Sequence, residues 1–174
     1  MARELIGWTL LVGGVGGVIV EVEAYAPDDP ASHSYNGRTP RNAVMFGPAG
    51  HLYVYRSYGI HWCANVVCGD ESVAAAVLLR ALEPTTGIDE MRARRGLDDP
   101  RLLASGPGRL TQALALTGEQ DGADLTRPPF AFAPPATSVD VTTSTRVGIT
   151  RAVERPWRYS LRGSMFVSRP RPRA

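Results

Sequence analysis

Alternating apolar and polar positions divide the chain into strand-like runs separated by glycine turns, with two helical stretches in its second half. Trp8–Val12 and Val18–Tyr25 predict two strands around the turn GGVGG at 13–17. On the second strand Val18, Val20, Val22 and Ala24 form an apolar face, and Ile19, Glu21, Glu23 and Tyr25 the opposite one. Two carboxylates and a tyrosine on one side of a core-length strand have two readings. Either they face solvent, the commoner case, or they line a cleft where a carboxylate serves as a base.

Residues 51–68, HLYVYRSYGIHWCANVVC, give two more strand-like runs about a turn at Ser57–Gly59. Alternation sets Tyr53 and Tyr55 opposite Leu52 and Val54, and His61, Cys63 and Asn65 opposite Trp62, Ala64 and Val66. Aromatic cross-strand pairing accounts for most of this hairpin. It does not account for Tyr58 at the tip, where Asn, Asp or Gly is expected.

Val73–Leu79 is a continuous apolar run suited to a central strand buried on both faces, and it ends in Arg80. That arginine needs a carboxylate such as Glu23 or Glu83, because an unpaired buried charge is too costly. Thr86–Arg95 predicts a helix, with Thr86 and Asp89 as a capping box and Gly96 just past its end. A second helix is predicted from Pro107 or Gly108 to Leu116, closed by Gly118. Its start, Ser105–Arg109, suits either a phosphate or a plain proline-led helix.

Residues 26–49 form a long polar loop carrying His33, Arg38, Arg41 and Asn42, a length usual for functional or disordered segments. Pro-rich 126–138 reads as an irregular surface crossing, Ser144–Arg151 as a returning strand, and 155–163 as a short amphipathic element. The order of elements argues for one mixed α/β domain of the α+β type, on a mainly antiparallel sheet flanked by helices. Its expected span is 1–163, with 164–174 an Arg/Pro-rich flexible tail.

Length and composition agree with one globular domain whose core needs neither disulfide nor metal. Charge changes the picture more. All nineteen basic residues are arginine. Residues 1–145 carry 11 Arg against 16 acidic residues, net −5, whereas 146–174 carry 8 Arg against Glu154, net +7. A basic segment on an acidic body points to an anionic partner, nucleic acid first. Arg151, Arg155, Arg158 and Arg162, around Trp157 and Tyr159, are the candidates for phosphate contacts.

Cys63 and Cys68 fall on opposite faces of one predicted strand, and the spacing of Cys and His suggests neither zinc nor a disulfide framework. A reduced cytoplasmic protein is expected. Leu5–Val20 is uncharged but holds five glycines and runs directly into EVEAY, which favours a hairpin over a secretory or membrane segment.

Five motifs in order carry a resemblance: VEVEAY (20–25), AxHSxxGRTPRN (31–42), MFGPAGxLYVYxxYGIxxCxN (45–65), VLLRALEP (77–84) and SGPGRLTQAL (105–114). Together they resemble the alkyladenine (3-methyladenine) DNA glycosylases of the mammalian AAG type, a family with many bacterial members. The similarity runs from about Leu5 to Gly163. It implies a monofunctional hydrolase, without cofactor or metal, that flips alkylated or deaminated purines out of duplex DNA. An activated water then cuts the N-glycosidic bond, which initiates base excision repair at the bacterial nucleoid. A monomer acting on double-stranded DNA is expected.

By the resemblance, Glu23 is the general base and Arg80 helps hold the water. Tyr25, His33 and Tyr55 sandwich the flipped base, Asn65 excludes the guanine 2-amino group, and Tyr53 supports the pocket wall. Tyr58 fills the vacated stack at the tip of a protruding, DNA-intercalating hairpin. Ile60 and His61 meet the minor groove, while Arg41 and Arg109 lie near phosphates. The sequence departs from the family pattern at His61, where an aromatic is frequent, and at Arg109, where lysine is common. The family also has a further segment before the positions matching Met1–Trp8, so the chain is expected to begin short of it. The alternative reading is a lesion-binding protein without catalysis, against which the joint presence of Glu23 and Arg80 speaks. The absence of lysine speaks against a Schiff-base lyase.

Overall fold

The structure, a computed structural model, describes residues 1–170. Its strands are β1 (Thr9–Val12), β2 (Val15–Tyr25), β3 (Leu52–Ser57), β4 (His61–Cys68), β5 (Ala75–Thr86), β6 (Phe130–Ala133), β7 (Val141–Ser144) and β8 (Arg158–Leu161). They form an eight-stranded sheet of order β3-β4-β5-β2-β1-β6, with β8 pairing both β2 and β7. Every pairing is antiparallel. Helices α1 (Ile88–Arg95), α2 (Pro100–Leu103) and α3 (Pro107–Ala113) follow β5. The expected α+β architecture on an antiparallel sheet is what the chain adopts.

β2 is the hub. One of its edges pairs with β5 along most of its length, while the other holds β1 at its start and β8 at Glu21–Glu23. Its first half can lie this close to its neighbours only because Gly16 and Gly17 lack side chains. A Cβ there would sit 1.9 Å from the Leu10 and Glu83 carbonyl oxygens respectively. The turn of the expected GGVGG stretch is therefore Gly13–Gly14 alone, both with positive φ, and Val12 pairs with Val15.

The simple alternation expected along β2 fails at its middle. Val20 has no partner on β5 and Arg80 has none on β2, so two irregularities on opposite strands offset each other. Ile19 and Val22 consequently both enter the main core, while Val20 turns to the other face against Ala81 and Val167. The same compensation carries β5 past Arg80 to Thr86, where the sequence pattern had it stop.

The main core lies between one sheet face and the helices. Leu52, Val54, Ala64, Val66, Leu79 and Leu82 pack there with Met91, Leu103, Leu110 and Leu114, all nearly inaccessible to water. The opposite face holds two smaller apolar clusters, around Tyr53 and Met45 and around Val20 and Val167. The hairpin faces follow the expected alternation, with Leu52, Val54, Ala64 and Val66 in the main core and Tyr53 on the other side.

Other elements differ from expectation. Thr86 stays in β5 and gives α1 no capping box, since Gly87 in the left-handed region turns the chain instead. Gly96 does close α1, with φ +62. α3 stops at Ala113, and Gly118 opens a 3-10 turn capped by Thr117. The Pro-rich segment contains β6, which pairs with β1, and the returning strand is 141–144 rather than 144–151. The segment 155–163 contains a strand, β8, over Arg158–Leu161. Beyond Gly163 the chain packs back onto the sheet, with Val167 and Ser168 buried, so a flexible tail does not start there. Arg171 and Arg173 of that expected tail lie outside the described residues.

Gly17→Ala is expected to cost about 1–3 kcal/mol as an overpacked site, read as a lower urea midpoint. Gly47→Ala, whose Cβ would meet only the Val44 carbonyl at 3.4 Å, should stay within about 0.5 kcal/mol of the parent.

Candidate active site

Registers across the sheet assemble the site. Glu23 on β2 pairs with Leu78 on β5, Leu78 with Asn65 on β4, and Asn65 with Tyr53 on β3. This single row crosses the floor of a cavity of about 850 Å³ on the face away from the helices. Tyr25, His33, Tyr55, Cys63 and Arg80 also line it, with Tyr58, His61 and Arg41 toward its mouth. The cavity thus gathers most of the sequence-derived candidates in one place.

Glu23 is fully buried, and its carboxylate is held by three donors. The Val147 N–H donates to Oε1 at 2.9 Å. Tyr25 Oη and Arg80 Nη1 donate to Oε2, at 3.0 and 3.2 Å. A carboxylate offers about four acceptor positions, so one on Oε1 stays available for a further donor such as water.

Arg80 projects from its own strand irregularity and is shared. Its Nε donates to Glu21 Oε1 at 3.0 Å, and its Nη2 reaches Ser168 Oγ at 3.2 Å. Glu21 is the most heavily bonded carboxylate, accepting also from Arg158 Nε at 2.7 Å, Ser168 Oγ at 2.9 Å and the Ser168 N–H at 2.5 Å. Burial pushes the Glu21 carboxyl upward, but Arg80, Arg158 and Ser168 outweigh it and hold it below the usual range. Burial likewise works against the Arg80 charge, and Glu23 and Glu21 overcome it.

Arg158 is therefore not the phosphate contact expected from the basic C-terminal segment. It is 2 % exposed and ties Glu21 to the Ser168 and Pro170 carbonyls. Arg41 and Arg109 do remain at the surface, bonded to the Arg56 carbonyl and to Ser105 Oγ at 3.2 Å each.

The aromatic residues form two groups. His33 meets the Tyr55 ring edge-on with centroids 4.4 Å apart, and Tyr53 stacks on Tyr55 at 5.5 Å. Tyr53 Oη and His33 Nδ1 are 2.9 Å apart. Burial, with Arg41 nearby, holds the His33 pKa below its ordinary value, so the ring is neutral at pH 7. Burial also raises the Tyr53 hydroxyl to about 12, partly offset by Arg41, and keeps Tyr55 and Tyr25 protonated. Tyr25 forms the second group, its ring against the Arg146 guanidinium. Asn65 Nδ2 donates to the Tyr53 carbonyl at 3.1 Å, which orients its amide beside Leu78 and Cys63.

At the hairpin tip Tyr58 is 87 % exposed, with φ +49. A left-handed non-glycine residue costs about 1–2 kcal/mol, and burial does not offset it here. Ile60 is exposed beside it, and His61 begins β4 with its ring over Gly108.

Sequence reasoning missed three contributors, Asp29, Arg146 and Ser168. Each reaches the site through tertiary contact from an irregular segment, where no periodicity marks it. The only sequence trace of Arg146 and Ser168 is membership of the basic C-terminal region.

Because Glu21 is depressed, its stabilising contribution is complete above the unfolded carboxyl value of about 4.3 and is lost as pH falls below it. Thermal unfolding followed by circular dichroism should show the midpoint dropping as pH is lowered through that window. Glu21→Gln should begin about 3–5 kcal/mol less stable, having left Arg80 and Arg158 short of a partner, and lose less on acidification.

Comparison with known proteins bears on this geometry. The sequence profile of the methylpurine-DNA glycosylase (MPG) family matches residues 1–165. Similar proteins bear the provisional name 3-methyladenine DNA glycosylase. One from Agrobacterium fabrum is 63% identical over 97% of this chain and 86% of its own length. Another, from Rhodopseudomonas palustris, is 62% identical over 98% and 85%. A third, from Nitrosospira multiformis, is 59% identical over 98% and 88%. With a family profile covering nearly all of it and relatives this close along most of their length, the chain belongs to the methylpurine-DNA glycosylase family.

Proposed function

We propose that the chain is a monofunctional DNA glycosylase that releases alkylated or deaminated purines flipped from duplex DNA. The observation that supports this most is Glu23, a fully buried carboxylate held by three donors, with acceptor capacity left on Oε1, on the floor of an aromatic cavity. The water accepted there attacks C1′ of the sugar and gives its proton to Glu23. The C1′–N bond breaks with its electron pair leaving on the purine. The carboxylate also stabilises the positive charge that develops on the sugar. Arg80 anchors Glu23 from the side opposite Val147 and orients the water.

The flipped base enters between Tyr25 and the His33–Tyr55 pair. Rings with protonated hydroxyls offer electron-rich faces that favour a cationic alkylated purine, by about 0.5–2 kcal/mol in a desolvated site. Asn65 faces the edge that carries the 2-amino group in guanine. Tyr58 occupies the stack that the base leaves. An exposed, strained aromatic supports this reading better than a packing role, because backbone strain without packing gain marks functional positions. Ile60 and His61 follow the tip into the minor groove, and Arg41 and Arg109 meet phosphates. Double-stranded DNA is the partner, the protein acts as a monomer in the cytoplasm, and the chemistry calls on no cofactor or metal.

Base release under single-turnover conditions, from duplexes carrying 3-methyladenine or hypoxanthine, tests the base. Glu23→Gln should slow release by about 10²–10⁴-fold while still binding lesion DNA, and an unslowed variant would remove Glu23 from its role. Tight lesion binding by the parent protein without any release would favour a binding protein instead. Tyr58→Ala should weaken lesion-duplex binding by about 1–3 kcal/mol, the scale of one stacked base, with an unchanged thermal midpoint. A lowered midpoint would mean that Tyr58 serves the fold.

A further inference from the structure

Behind the pocket lies a buried ion pair that the chemistry above does not use. The side chains of Arg146 and Asp29 are both inaccessible to solvent, and neither lines the cavity. Arg146 binds Asp29 through both terminal nitrogens, Nη1 to Oδ2 and Nη2 to Oδ1, the latter at 3.0 Å. Nη1 also donates to the Ala24 carbonyl at 2.9 Å and Nη2 to that of Ala152 at 3.3 Å. The guanidinium carbon lies 4.7 Å from the Tyr25 ring centroid and 5.3 Å from that of Trp157. Nε has no hydrogen-bond acceptor.

Such a pair is poorly explained by stability. Buried ion pairs replaced by apolar groups often cost nothing, and a buried N–H without an acceptor is itself unfavourable. What the pair does is geometric. Of the three donors on Glu23, the Val147 N–H belongs to the peptide that follows Arg146, and the Tyr25 hydroxyl sits on the ring that the guanidinium covers.

We propose that the Arg146–Asp29 pair is a positioning element for the catalytic base, fixing the Val147 N–H and the Tyr25 hydroxyl on the Glu23 carboxylate. This rests on the reading of Glu23 as that base. Two donors fixed in place hold a carboxylate in one orientation, so the pair keeps Glu23 aimed. The titratable and charged groups around Glu23 are Tyr25 and Glu21 on its own strand, Arg80 on β5, Cys63 on β4, Arg158 on β8 and Arg146 itself. With those two donors displaced, the carboxylate loses its fixed orientation, and base release slows through Glu23 alone.

The test is single-turnover base release by Asp29→Asn/Arg146→Gln, which removes both charges together and leaves the net charge unchanged, alone and on the Glu23→Gln background. Lesion-duplex binding should persist. Release should fall by about 10- to 100-fold, as for a displaced reacting group, and the same change added to Glu23→Gln should slow it no further, because both act through one carboxylate. Trp157→Leu keeps the ion pair, opens one side of the guanidinium, and should slow release by less, again only where Glu23 is present. Undiminished release by the folded double variant, or an equal loss on the Glu23→Gln background, overturns the proposal. Should that variant not fold, release by the half-buried Trp157→Leu decides in the same way. Absence of release by the parent protein at every pH would instead overturn the function on which the proposal rests.

Discussion

A single buried arginine shared by two carboxylates of one strand organises this molecule. Arg80 reaches both Glu21 and Glu23 because the middle of the β2–β5 ladder is interrupted at Val20 on one strand and at Arg80 itself on the other. Without that pair of irregularities, strict alternation would still set Glu21 and Glu23 on one face, but Val20 would join the main core and Arg80 would point with different neighbours. Irregularities of this kind re-aim side chains beside active sites. Here the result is one anchored carboxylate and one with spare acceptor capacity.

Electrostatic balance extends the same constraint outward. Among the described residues, the buried charged side chains are Glu21, Glu23 and Asp29 with Arg80, Arg146 and Arg158. Three negative charges thus meet three positive ones, which satisfies the requirement that buried charge be paired. The pairing also draws distant segments together. β8 contributes Arg158 and the chain beyond Gly163 contributes Ser168, both to Glu21, while the segment after β7 gives Arg146 to Asp29 and the Val147 N–H to Glu23. Two arginines of the basic C-terminal region, Arg146 and Arg158, therefore serve the inside of the protein, while Arg41, Arg151 and Arg169 are surface cations lining the cavity.

The two sheet faces divide the work. One is sealed by helices and carries the apolar mass of the core. The other carries two small apolar clusters and a cavity lined by the row from Glu23 to Tyr53. A central sheet beneath the proposed catalytic side chains keeps them in register, as a productive geometry demands. The hairpin that carries Tyr55 and Asn65 on its stem also holds Tyr58 at its tip, so pocket and tip are one mechanical unit.

The strands of the hairpin, its two faces, the central burial of β5 up to Arg80 and the need of that arginine for a carboxylate were legible in the residue pattern alone. Each depends on local periodicity or on the cost of burying a charge, and both are properties of the sequence itself. Tyr58 stood out for the same reason, as a residue type in conflict with its turn. Tertiary structure alone decided that Glu21 joins Glu23 on Arg80, that Arg158 is buried, that Arg146 lies behind Tyr25, and that Ser168 reaches Glu21. It also decided where β2 breaks its alternation and why Thr86 remains a strand residue. These features come from contacts between segments up to about 150 residues apart, such as Glu21 with Ser168. Periodicity reports only on near neighbours along the chain, whereas a buried charge is paired by whichever partner the fold brings within reach.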